Sequence, residues 1–158
     1  MHVSELKDQL SKIIEGLKGF EEGMEKTRKG FDALPFIIRS YAERDFELGS
    51  GKSAEKWIEE SRRYRSQLES LQAELEEDRK PSQEKIEECL SKTRAFIKSL
   101  EKLHQYLKNL PSKLASVPSY LLPNLDKSIS EARKASEELE KFIIELKKLE
   151  ETLEKLRS

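Results

Sequence analysis

Gly49-Ser50-Gly51-Lys52-Ser53 comes nearer to a chemical motif than any other stretch of this chain. Its last three residues match the end of a phosphate-binding loop, in which backbone amides and a lysine cradle a nucleotide's phosphates. The full motif needs a glycine at position 46 and a buried strand leading in. The chain has Phe46 there, preceded by a helical pattern. Without the strand and the glycine the amides have no fixed cradle. The five residues therefore read as a hinge followed by a helix N-cap, Ser53.

Glu101 and His104 have the E-x-x-H spacing of di-iron bundles. Such a centre needs two of these pairs and two further inward glutamates. The other histidine is His2, and Glu101 falls on the solvent side of its helical pattern, so no metal or cofactor is expected. With two histidines and no serine, cysteine or aspartate spaced to partner them, general-base chemistry has no candidates. No catalytic residue is assigned, and the chain reads as a non-enzyme.

Arg62, Arg63 and Arg65 bracket Tyr64, but Glu59, Glu60 and Glu69 surround them, which is the pattern of a solvated face. Thirty basic and 31 acidic residues leave a formal net charge of −1, so no nucleic-acid partner is expected. Cys89, the single cysteine, sits at an apolar helical position and reads as a buried structural thiol. No apolar run reaches membrane-spanning length and the N-terminus lacks a signal-peptide core, so the expected setting is reducing and cytoplasmic.

These side chains need elements to hold them, and the apolar spacing supplies those elements. Val3, Leu6, Leu10, Ile13, Leu17, Phe20, Met24, Thr27, Phe31 and Leu34 alternate steps of three and four, a heptad row that keeps one stripe of a helix on its partner. A second row runs Ala54, Trp57, Ser61, Tyr64, Leu68, Leu71, Leu75. A third runs from Ile86 through Cys89, Thr93, Phe96, Leu100 and Leu103 to Leu107 and Leu110, widened by Leu90 and Ile97. The fourth runs Ala132, Ala135, Leu139, Phe142, Leu146, Leu149, Leu153, Leu156.

The chain thus reads as one helical domain over 1–158, with helices at about 4–34, 53–80, 82–110 and 125–157. A short helix or loop fills 36–48 and an irregular connection, broken by Pro111, Pro118 and Pro123, fills 111–124. The fourth helix starts near Asn124 or at the capping box Ser128…Glu131. Hydrophobic residues are 35% of the chain and charged residues 39%. That balance starves a compact mixed fold of core but suits an elongated bundle, which needs two or three apolar positions in seven. The expected fold is all-α: an antiparallel, coiled-coil-like four-helix bundle running up-down-up-down, with both long connections at one end.

Two features suggest partner binding. Gly16, Gly23 and Gly30 recur every seven residues along one edge of the first helix, and each glycine costs about 0.8–1 kcal/mol relative to alanine there. Their spacing suggests a groove that another backbone approaches closely. Phe36, Ile37, Tyr41, Tyr120 and Leu121 form an aromatic and aliphatic group in the two connections, which either plugs the bundle end or meets a partner.

The expected function is that of a helical scaffold, adaptor or assembly subunit binding protein partners, with homo-oligomerisation one way to satisfy the seam. The alternative is a peripheral binder of lipid surfaces, disfavoured by the near-neutral charge. Reflection about the 111–124 connection sets Leu100 near Ala135, Leu103 near Ala132, Phe96 near Leu139, Cys89 near Leu146 and Lys92 opposite Glu145.

Overall fold

In the computed structural model, residues 2–118, 120, 122 and 124–157 are described; they are predominantly helical and contain no strand. Five helices follow in order: α1 His2–Asp32, α2 Phe36–Ser50, α3 Ala54–Glu76, α4 Gln83–Ala115 and α5 Leu125–Arg157.

The heptad rows become the core. In α3 every residue of the row from Ala54 to Leu75 is buried. In α4 the row is buried from Ile86 to Leu103, together with Leu90 and Ile97, and Tyr106 extends it. In α1 Leu6, Leu10, Ile13, Leu17 and Met24 are buried, while Val3 stays exposed. Rings bridge the helices at mid-length. Phe20 of α1 meets Trp57 at 5.8 Å and Phe96 at 6.2 Å, both edge-on, and Tyr64 stacks on Phe96 at 4.9 Å.

Several helix ends differ from the sequence expectation. α3 stops at Glu76, not at 80. Asp78 takes a left-handed backbone (φ 56°), and the amides of Asp78 and Arg79 donate to Leu75 O and Glu74 O. This is a Schellman ending, with aspartate in the place glycine usually takes. α4 runs through Pro111 to Ala115, so the irregular connection begins later than position 111. A proline costs about 3 kcal/mol in a helix interior, here through the lost donor to Leu107 O, and α4 ends four residues after it. α5 begins at Leu125 with Ser128 N–H donating to Asn124 O, which favours the earlier of the two expected starts. Pro35 is the N-cap of α2, and Ser53 caps α3 as expected, accepting from Lys56 N–H at 3.2 Å.

Contacts run in opposite order along neighbouring helices. Glu21 of α1 meets Arg62 and Arg65 of α3, whereas Ser11 meets Gln72. Down α2 and then α3, partners on α4 pass from Lys113 and Tyr106, facing Asp45, to Ser99 at Lys52, Thr93 at Tyr64 and Lys85 at Glu74. α2 and α3 therefore lie one after the other along α4. Lys12 of α1 pairs with Glu145 of α5, and Gly16 lies against Phe142.

The expected α4–α5 register is displaced. Pairing Lys92 with Glu145 would set Arg94 opposite position 143, but Arg94 pairs with Glu150 and Glu154, and Glu101 lies 3.9 Å from Lys147. Glu145 turns instead to Lys12 and Lys148. Reflection about 111–124 assumed a helix ending at 110. The helical turn added beyond Pro111 lengthens α4 and moves the reversal toward α5.

Candidate interaction surface

α2 is fixed to the body by one face. Phe46 is buried, edge-on to Phe31 at 5.7 Å and to Tyr106 at 5.5 Å. Tyr106 donates its hydroxyl to Asp45 Oδ2 at 3.0 Å, and Lys113 Nζ lies 3.3 Å from Oδ1 of the same carboxylate. Burial and that carboxylate both push the Tyr106 phenol pKa well up. Gly49 takes the Tyr106 ring so closely that a Cβ would overlap it.

The opposite face of α2 carries Ile37, Tyr41, Arg44 and Leu48. Their spacing of four, three and four puts them on one line along the helix. Ile37 is 82% exposed, Tyr41 79% and Leu48 69%, with Phe36 beside the line at 81%. Arg44 makes no ion pair among the described residues. Of the two readings left open by the sequence, a plug for the bundle end fails at Phe36, Ile37 and Tyr41, because these side chains face outward. Tyr120 is 85% exposed, between α4 and α5; Leu121 lies outside the described residues. Leu48 lies within the expected 36–48 segment and joins this row, and α2 continues two residues beyond it to Ser50.

Within the chain, the glycine edge is approached closely at its first position. Gly16 does meet a close neighbour: an added Cβ would sit 2.5 Å from Phe142 Cε1. Gly23 and Gly30 face open space, as does Gly19. The α5 contact that fills the edge at Gly16 is not continued toward the C-terminal half of α1.

The Gly49–Ser53 segment is a structural joint. Gly51 alone takes a left-handed backbone (φ 97°), donating its N–H to Glu47 O. Ser50 is buried; its hydroxyl accepts from Trp57 Nε1 at 3.2 Å and donates to Lys52 O at 3.0 Å. Lys52 Nζ binds Ser99 Oγ at 2.9 Å and Glu60 Oε2 at 2.8 Å, and lies 4.4 Å from the centre of the Trp57 ring. The lysine is fully engaged inside the fold.

The arginine group does more than decorate a surface. Glu21 is buried on the flank of the α1 row, and Arg65 grips it from α3 with Nε at 2.9 Å and Nη2 at 3.3 Å. Arg62 Nε adds a contact at 3.2 Å, while Arg63 pairs with Glu59 as surface charge. In the sequence Glu21 stands beside Glu22, directly after Phe20 of the apolar row, and nothing in that pattern marks which of the two glutamates turns inward.

Among the described residues, no group of three or more His, Cys, Asp or Glu side chains is placed to hold a metal ion, and no helix is long and apolar enough to cross a membrane. Open grooves along α1 and α3 are lined largely by charged side chains, including Glu22, Lys26 and Arg62. Cys89 is buried, and burial pushes its thiol up to about 11, far from thiolate chemistry at neutral pH. No protein-family model, curated protein or solved structure matches the chain.

Proposed function

We propose that this chain is a non-enzymatic helical scaffold or assembly subunit that binds a protein partner through the outer face of α2. The observation that carries this reading is the exposure of Ile37, Tyr41 and Leu48 on one line of a helix whose opposite face is already packed. Covering each large apolar side chain is worth about 1.5–3 kcal/mol. An exposed row of this kind on a well-anchored helix is a docking feature.

A protein suits the row better than a lipid surface. α2 carries Glu43, Asp45 and Glu47 against Arg39 and Arg44, whereas interfacial helices present lysine- and arginine-rich polar faces to anionic lipid. The same proposal gives the bundle an up-down-up-down, coiled-coil-like path, supported by the opposed contact order between α1 and α3, α3 and α4, and α4 and α5. A single, buried cysteine, Cys89, suits a reducing, cytoplasmic setting.

The test is capture from the native cell on wild-type chain and on Tyr41→Glu, beside flotation with vesicles containing phosphatidylserine. Capture lost in the variant, with no flotation, supports the reading. Unchanged capture, or flotation lost in Tyr41→Glu, overturns it, the second outcome in favour of a lipid surface.

A further inference from the structure

We propose that the occupant of the α2 outer row is the same row of a second copy of this chain, laid antiparallel across a two-fold axis. This rests on the reading that the row is a docking surface.

The row reads Ile37, Tyr41, Arg44, Leu48, with aliphatic residues at both ends and an aromatic and a cation between. A two-fold axis passing between Tyr41 and Arg44 sets Ile37 against Leu48 of the second copy, and Tyr41 against Arg44, each pair made twice. Symmetric interfaces are self-complementary in this way. The central pairs place a guanidinium on a phenol ring, a favourable arrangement whose strength rises as water is excluded. Arg44 is available for it, having no ion pair among the described residues.

Charge selects the direction. A parallel pairing would bring Arg44 onto Arg44, two like charges at the centre of the seam. Sliding the antiparallel pair by one turn would bring Arg44 onto Arg44 in one direction and onto Ile37 in the other, losing its contact with Tyr41 either way. In the two-fold register Ser40 flanks Glu47 of the second copy, so that edge carries no like-charge pair. The anchored side of α2, with Phe46 buried and Asp45 held by Tyr106 and Lys113, is undisturbed.

The size of the contact fixes its strength. Fifteen residues of α2 span about 22 Å. Two such helices bury less than the roughly 1,200 Å² of a standard stable interface, so the association is weak and depends on concentration.

The test is sedimentation equilibrium on the full chain from about 1 µM to about 1 mM, the range that brackets a weak dimer. The expected mass rises from 18.4 kDa toward twice that value. Ile37→Glu and Leu48→Lys should each weaken self-association at least tenfold. Mixing the two variants should restore it, because the mixed pair sets the new carboxylate against the new ammonium and keeps one Ile37–Leu48 contact. Both sites are exposed, so unchanged helical circular dichroism certifies the fold.

A monomer throughout the range, undiminished association of either variant, or no restoration on mixing overturns the second copy as occupant. If the chain is monomeric and Tyr41→Glu still loses captured protein, the docking surface stands and only this occupant fails. If capture also survives Tyr41→Glu, both fail.

Discussion

Gly49 on α2 lies so close to the Tyr106 ring on α4 that only a hydrogen fits between the α2 backbone and the ring. Tyr106 has little room to retreat, because Asp45 holds its hydroxyl and the Phe46 ring packs against it at 5.5 Å. Gly49→Ala should therefore destabilise the protein by about 1–3 kcal/mol, although alanine is the better helix former. Gly23→Ala should do the opposite, adding about 1 kcal/mol, since Gly23 faces open space. Denaturant melts of the two variants give the comparison; a stabilised Gly49→Ala would refute the close packing.

Lys52 is the second test of the joint. Its ammonium bridges Ser99 and Glu60 over the Trp57 ring. Lys52→Met should shift the Trp57 emission and lower stability by about 1–2 kcal/mol, the scale of charge-assisted bonds partly shielded from water. ATP titrated against the wild-type chain should leave that emission unchanged. A saturable response to ATP, lost in Lys52→Met, would restore the phosphate-loop reading.

Glu21 and its two arginines should contribute unequally. Glu21→Gln leaves Arg65, 22% exposed, facing a neutral amide and should cost about 1–3 kcal/mol. Arg62→Ala removes a side chain 58% exposed and should cost less than about 1 kcal/mol. Equal losses in chemical denaturation would contradict this division.

Alkaline pH should weaken the fold in a defined window. Cys89 rises from an ordinary 9.0 to about 11, chiefly through burial, and burial raises Tyr64 and Tyr106 as well. For an acid whose folded pKa is raised, the unfolded chain loses its proton first. Stability is then full below about pH 9 and falls as pH climbs toward the folded pKa, by up to about 1.4 kcal/mol per pH unit for Cys89. Melts of wild-type and Cys89→Ala between pH 8 and pH 11 should converge as pH rises. Parallel curves would mean that the thiol does not contribute.

Much of the fold was legible because burial along a helix repeats with the helix. Ala54, Trp57, Ser61, Tyr64, Leu68, Leu71 and Leu75 all went inside, the serine included. What periodicity carries poorly is where a helix stops. Pro111 does not end α4, which continues to Ala115, and Asp78 served as a left-handed terminator without being glycine. The α4–α5 register depended on one of those ends and moved with it. Within the chain the glycine edge meets a close neighbour at Gly16 and none at Gly23 or Gly30, because spacing gives the edge but not what lies beside it. Phe36, Ile37 and Tyr41 were recognisable as an apolar group; that they point outward depends on Phe46 taking the inner face.

The central claim is that the outer row of α2 is covered in the cell, and site-specific photocrosslinking tests it most directly. A benzophenone side chain replaces Tyr41 in one chain, Leu48 in a second and the exposed Glu151 of α5 in a third. Irradiation in the native cell should give discrete protein adducts at positions 41 and 48 and none at 151. No adduct at 41 and 48, or the same adducts at all three positions, would contradict the account.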